Sequence, residues 1–525
     1  MGRSDVRGTP VHRRYRPLLL GACALALVLA LLHGCTTRPL ETLPVSRALL
    51  DTAHSRLGEL SARAIGALGQ QGQDQGSAVH LLSDGLEALA ARRALIARAD
   101  RSLDVQYYIW RSDVSGTSLA ADLWNAAERG VRVRLLLDDW GARPSEEALG
   151  VLASHPNVEI RLFNPLAAGW SQPLALLLDF DRGNRRMHNK LLLADNQAAI
   201  VGGRNIGDEY FEGRAGLQFG DLDVLALGPV VRQASAGFDR FWNHPYVRRV
   251  PARPQAALPA AHAPPAALEA PWSQADATPW ALKLDSGQLE FRATLATALQ
   301  DDPLKAEGSV STQDPRPNLG TQIASLVGQV ESDLLLVSPY FVPGEGGVAQ
   351  LRALREAGVR VRVVTNSLAA TDVPAVHSGY ARYRRPLLEA GIELYEIKVE
   401  APLSRRPSTI RSLGSSRVSL HAKLMVLDQR STFVGSMNID PRSLRLNTEN
   451  GIVLNSASLA AEISGGIERQ LASTAYRVEL SEGQLRWASA DPDGRPVHHD
   501  AEPRAGWWLR LQATVMSWLP IEGLL

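Results

Sequence analysis

Residues 187–205, MHNKLLLADNQAAIVGGRN, and residues 420–438, LHAKLMVLDQRSTFVGSMN, write one pattern twice. Each copy has a His, one residue, a Lys, four residues, an Asp, six residues, a Gly, and an Asn three positions further on. The first set is His188, Lys190, Asp195, Gly202 and Asn205; the second is His421, Lys423, Asp428, Gly435 and Asn438, with Gly203 and Ser436 at the matching turn position. Residues i and i+2 of a strand project from the same face, so each His and Lys should enter one site together while LLLAD and LMVLD run on into a core.

The repetition extends outward. Residues 126–139, AAERGVRVRLLLDD, match residues 354–367, LREAGVRVRVVTNS: a helix end closed by Gly, then a buried strand. Apolar strands precede each, SLDVQYYIW ending at Trp110 and DLLLVSPYF ending at Phe341, and others follow, NVEIRLF at 157–163 and GIELYEI at 391–397. Amphipathic stretches such as 119–129 and 348–357 alternate with them, which predicts an α/β protein whose two copies are related by a pseudo-two-fold axis.

A chain of 525 residues holds two such domains and appendages. The expected organisation is 1–35 signal or anchor, 36–78 tether, 79–250 first domain, 251–280 Pro/Ala linker, 281–500 second domain and 501–525 a terminal amphipathic helix. Five arginines between Arg3 and Arg16 precede an uncharged apolar run, Leu18 to Leu32, the layout of an export signal. As a helix that run reaches only about 22 Å, against a bilayer core of about 30 Å. Leu32-His33-Gly34-Cys35 resembles a bacterial lipobox in which Cys35 would be lipidated; an uncleaved anchor is the alternative. Either places the body at a membrane, on the periplasmic side of a bacterial envelope.

Two histidines, two lysines and two amide side chains beside glycine-containing turns make a duplicated oxyanion site. Lysine is rare here: of 56 basic residues five are Lys, and two of those fall in the motifs, where a compact ammonium suits a phosphate. Those ammonium groups would repel a divalent cation, so no metal and no cofactor are expected. A formal charge of +1 gives no global attraction to nucleic acid. With an ordinary pKa of about 6.5, one imidazole can attack phosphorus as a neutral base while the other donates a proton.

These residues resemble the paired signatures of the phospholipase D superfamily. The resemblance implies two phospholipase D-like α/β/α domains, each with a mixed, largely buried sheet, sharing one active site at their interface. It implies His188, Lys190, Asp195, His421, Lys423 and Asp428 as catalytic residues, with His188 the nucleophile and His421 the general acid. Asn205, Asn438, Ser436 and Gly203 would bind phosphate. Asp221 and Glu449 fall where that family places the acids that orient its histidines, with Asp223 competing with Asp221.

LDVQYYIWRSDVSG, VSPYFVPGE, DRFWNH at 239–244 and the terminal WLPIEGLL resemble the bacterial cardiolipin synthase C-type branch of that family, over nearly all of the chain from about residue 80. This implies a phosphatidyltransferase that joins phosphatidylglycerol to a second phospholipid through a phosphohistidine. Hydrolysis of lipid phosphodiesters, or of nucleic acid, is the competing reading. Two basic loops, DRGNRRMH and LSRRPSTIRSLGSSRVSLH, could gather anionic headgroups. Trp507, Trp508, Leu511, Val515, Trp518 and Leu519 share one face of the terminal helix, which suits a lipid interface or the protein's own core. Membrane phospholipids are the expected partners, and a monomer, carrying both motifs, suffices.

Overall fold

The computed structural model describes residues 42–70, 76–166, 179–211, 218–253, 279–308, 318–399, 418–491, 493–519 and 522–525. The first copy contains β1 (Ser77–Leu82), β2 (Ser102–Tyr107), β3 (Arg132–Asp138), β4 (Val158–Phe163), β5 (Leu191–Ala194), β6 (Ala198–Gly202), β7 (Gln218–Gly220), β8 (Asp223–Leu227) and β9 (Val247–Arg249). The second contains β10 (Arg292–Gln300), β11 (Asp333–Val337), β12 (Arg360–Asn366), β13 (Glu393–Ile397), β14 (Val418–Leu420), β15 (Leu424–Leu427), β16 (Ser431–Gly435), β17 (Asn450–Asn455) and β18 (Ala475–Ser481), extended by β19 (Gln484–Ala490) and β20 (Pro496–His499).

Pairing runs β1-β8-β6-β5-β2-β3-β4-β9 in the first copy and β10-β17-β16-β15-β11-β12-β13-β18 in the second, the same order twice. Three strands of each, β2-β3-β4 and β11-β12-β13, are parallel, and the other pairings within each copy are antiparallel. The strand β1 also pairs with β10, joining the two sheets at one edge. Alternate faces of the strands then fill different cores, as a period of two requires. Val105, Leu135 and Ile160 pack outward with the helices Gly85–Arg98 and Val114–Glu128. Leu191, Leu193, Val201 and Val224 face Leu424, Val426, Val434 and Ile452 of the other copy in a shared central layer. The motif strands are therefore the ones buried between the two repeats.

The motif aspartates sit in tight hairpin turns. Asp195 and Asn196, and likewise Asp428 and Gln429, have φ between +51° and +54° between β5 and β6 and between β15 and β16. Two left-handed residues in succession turn the chain within each three-residue loop, a conformation that Asp and Asn tolerate.

One expectation about the chain's appendages changes. The tether assigned to 36–78 is packed on the first copy over its described part. The helix Arg56–Gln70 buries Leu57 and Leu68, and Arg161 and Arg134 donate to the carbonyls of Pro44 and Ser46 at 2.8 and 2.9 Å. Its leucines, spaced along one face, and those backbone carbonyls find partners that only the folded first copy supplies. Cys35 and the apolar run lie outside the described residues, as does the linker between 254 and 278. Among the described residues no helix is long and apolar enough to cross a membrane.

Candidate active site

Each motif histidine is held by a carboxylate of the other repeat. His188 Nδ1 lies 2.8 Å from Glu449 Oε2, and His421 Nδ1 lies 2.6 Å from Asp221 Oδ2. Backbone pairing explains the exchange. β14, which leads into His421, pairs in parallel with β7, which leads into Asp221, and the His421 N–H donates to the Gly220 carbonyl at 2.8 Å. Reciprocally, the His188 N–H donates to the Thr448 carbonyl at 2.8 Å and the Lys190 N–H to Asn450 Oδ1 at 2.8 Å. Asp223, the competitor for Asp221, instead receives Arg92 at 2.8 Å and Arg204 at 3.2 Å, fully buried.

The lysines fold back on their own motif: Lys190 Nζ donates to the His188 carbonyl at 2.7 Å, and Lys423 Nζ donates to the His421 carbonyl. Both imidazoles, both ammoniums and both carboxylates thus form one buried cluster.

Its charges balance. Burial, with the neighbouring ammoniums, lowers His188 to about 4 and His421 to about 3 against the pull of their carboxylates, so both imidazoles rest neutral. Burial pushes Glu449 and Asp221 upward, but the paired His and nearby Lys of each outweigh it; Glu449 stays below its ordinary value and Asp221 falls to about 2. Burial lowers Lys190 to about 7 and Lys423 to about 8. A phosphodiester adds one negative charge to this neutral set, and favours protonation of an imidazole when it arrives.

A pH dependence follows. Both lysines are cationic below pH 7 and lose their protons as pH rises through about 7 and 8, so affinity for a permanent monoanion should fall in that direction. Calorimetric titration with diethyl phosphate is expected to show Kd rising about tenfold or more from pH 6 to pH 9. A flat profile would mean that the lysines do not hold the anion.

Asp195 and Asp428, expected among the catalytic groups, stand elsewhere. Five residue steps along a strand, about 16 Å, separate Asp195 from Lys190. Its carboxylate accepts the N–H groups of Asp100, Arg101 and Ser102, at 2.7–3.2 Å. Asp428 likewise accepts from Glu331, Ser332 and Asp333, so both close the loop before a central parallel strand. The Asp195→Ala variant should lose stability, on the order of 2–4 kcal/mol from three orphaned donors, while its folded fraction keeps its kcat. A denaturant titration beside active-site-normalised rates separates the two.

The turn residues expected to bind phosphate act on the carboxylates instead. Ser436 Oγ donates to Glu449 and receives the Asn450 N–H at 2.9 Å. At the matching Gly203 a Cβ would lie 2.3 Å from Asp221 Oδ1, so that site admits only glycine beside a carboxylate approaching this closely. Asn205 accepts the Ile109 N–H at 3.2 Å and donates to the Tyr210 hydroxyl at 3.0 Å, acting on the site through that ring. Asn438 Oδ1 is buried without a partner among the described residues.

Several contributors carried no signal as a repeat. Tyr108 stands edge-on to His188 at 5.1 Å and Tyr210 edge-on to His421 at 5.2 Å, both from the first copy. Arg204 donates to the carbonyls of Asp221 and Tyr210, holding an orienting acid and an aromatic wall together. Asp301, paired with Lys305 at 2.7 Å, accepts the Glu449 N–H at 2.9 Å. Lys305 is one of five lysines in a chain that otherwise uses Arg, the one signal in the sequence that could single it out. The basic loop before the first motif is neutralised: Arg182 pairs with Asp179, Arg185 with Asp181 and Arg186 with Asp138. Most of its counterpart before the second motif lies outside the described residues.

Two carboxylate-held imidazoles with paired lysines, on a duplicated mixed-sheet fold, define a phospholipase D-like enzyme. A solved phosphatidylserine synthase from Haemophilus influenzae has this fold, superposing with a TM-score of 0.56 over 89% of this chain and 100% of its own at 13% identity. The family model described as cardiolipin synthase, PLD-like domain, matches residues 93–242 and 323–471, one match per repeat, and the chain belongs to that family. Cardiolipin synthase C of Escherichia coli K12 is 39% identical over 460 residues, 85% of this chain and 95% of its own length. A cardiolipin synthase of Halalkalibacterium halodurans is 24% identical over 73% of this chain and 64% of its own.

Proposed function

We propose that this enzyme makes cardiolipin by transferring a phosphatidyl group from phosphatidylglycerol or phosphatidylethanolamine to a hydroxyl of phosphatidylglycerol. The observation that carries the reading is the pair of cross-repeat His–carboxylate bonds, in a chain 39% identical to a cardiolipin synthase over most of both lengths. In the first step, with His421 protonated as the anionic substrate arrives, His188 Nε2 bonds to phosphorus as the P–O bond to one headgroup alcohol breaks, and that alkoxide takes the Nε2 proton of His421. In the second, the incoming hydroxyl gives its proton to His421 and its oxygen displaces His188. Glu449 and Asp221 hold the rings, and Lys190 and Lys423 offset charge on the phosphoryl oxygens.

The family membership supports membrane phospholipids as the partners, and the apolar run Leu18 to Leu32 supports a tether with the catalytic body on the periplasmic side. The domains are read as 79–250 and 281–500, with the first extended by the packed segment from residue 42. The test is lipid mass spectrometry on vesicles of phosphatidylglycerol and phosphatidylethanolamine incubated with the full chain. Cardiolipin together with glycerol or ethanolamine is the expected product. Phosphatidic acid alone would make water the acceptor and the enzyme a hydrolase; unchanged lipids would sink the substrate class.

A further inference from the structure

We infer that the C-terminal helix, Trp507–Ser517, is a lipid-docking element that seats the mouth of the active site on an anionic phospholipid surface. The inference rests on the proposed reaction for its choice of occupant. The helix turns its small side inward: Ala513 and Leu509 pack on Leu368 and Ala505, against the helix Pro374–Ala381. Its large side is left outside. Trp507 and Trp518 are 75% exposed and Trp508 56%, with Leu511, Val515 and Leu519 each above 40%. Such a contiguous apolar patch, six large side chains on one helix, marks an interaction site.

The patch is built into the fold at both ends. Before it, Glu502 meets Arg384 at 2.5 Å and His377 at 3.4 Å. After it, Arg382 donates to the carbonyls of Ser517 and Leu519, and Tyr383 to Glu522. The last residue, Leu525, is buried against Gly379, and its carbonyl receives the Arg442 N–H at 2.7 Å. Arg442 also donates to the Leu524 carbonyl at 3.1 Å and to the Asn184 carbonyl at 3.0 Å. Arg442 lies four residues after Asn438, and Asn184 four residues before His188. One guanidinium therefore ties the end of the docking segment to the flanks of both motifs.

Composition and charge select the occupant. Three indoles combine a large apolar face with an N–H, the property that enriches Trp where hydrocarbon meets headgroups. From Gly506 to Leu519 the only ionisable residue is Arg510, which stands beside the indole face and donates to the Glu502 carbonyl, so the helix brings a cation and no acid to the rim of the patch, the complement of phosphatidylglycerol. Docking through a braced helix, rather than through the N-terminal run alone, would present the buried cluster to the bilayer at a set height and orientation.

The test uses the full chain on phosphatidylglycerol vesicles with brominated acyl chains, reading quenching of tryptophan fluorescence. Residues 1–41 contain no Trp, so the N-terminal run tethers wild type and variants alike without contributing signal. Wild type should be quenched, and the Trp507→Ser, Trp508→Ser, Trp518→Ser triple variant should lose most of that quenching. The variant should also lose cardiolipin formation on vesicles while hydrolysing bis(p-nitrophenyl) phosphate at the wild-type rate, which shows that it folds. Quenching equal in both, or absent from the wild type, overturns the inference even where cardiolipin forms. A dimer that the three substitutions dissolve, without quenching, assigns the face to a second copy and overturns it too. Quenching without cardiolipin keeps the docking and fails the proposed reaction instead.

Discussion

Alanine at His421 is expected to reduce cardiolipin formation by about 10⁴-fold or more, and alanine at His188 to do the same, because two groups acting in one displacement cannot replace each other. The two variants should part on an activated substrate. A p-nitrophenoxide needs no proton to leave, so His421→Ala should still release a burst of one equivalent as His188 is phosphorylated, and then stall. His188→Ala should give no burst. Stopped-flow absorbance on a p-nitrophenyl phosphodiester reads this directly, and a burst retained by His188→Ala alone would exchange the two roles. Neither imidazole is protonated in the resting cluster, so the alanine variants leave no unpaired cation behind. Asp221 and Glu449 do lose a hydrogen-bond partner, so each variant's thermal midpoint should be recorded beside its rate.

Glu449→Gln is the second large effect, about 10³-fold or more in kcat. The glutamine has the carboxylate's shape but presents an amide to a ring whose Nδ1–H needs an acceptor, so His188 is held less often with Nε2 toward phosphorus. The substitution also removes one of two negative charges that balance Lys190 and Lys423. Affinity for diethyl phosphate, read at pH 5 so that Lys190 stays a cation without the charge of Glu449 to hold its proton, should therefore rise while kcat falls. Opposite movement of these quantities identifies Glu449 as an orienting and charge-balancing group. A loss below tenfold, or a parallel loss of anion affinity, would reduce it to a structural residue.

Much of this molecule was legible along the chain because it is written twice. The matched spacing of His188, Lys190, Asp195 and Asn205 with His421, Lys423, Asp428 and Asn438 located both hairpins, and the matched GVRVR segments located β3 and β12. Residue types alone misled where one side chain serves geometry as readily as chemistry. Asp195 looked catalytic beside a His and a Lys, but a strand places its carboxylate at the far end, on three backbone N–H groups. Ser436 looked like a phosphate donor, and its hydroxyl is spent on Glu449.

By itself the sequence determined the α/β repeat, the buried motif strands, the pairing of His with Lys and the chemistry open to them, since each follows from local period and residue type. Tertiary structure alone decided that Glu449 serves His188 and Asp221 serves His421 across the repeats, that Tyr108 and Tyr210 both come from the first copy, and that Arg204, Asp301 and Lys305 brace the orienting acids. The physical reason is that these partners lie up to 261 residues apart and meet only when the two sheets close face to face. That closure also desolvates the lysines and histidines, and the pKa values on which the site depends belong to the buried cluster rather than to any residue in it.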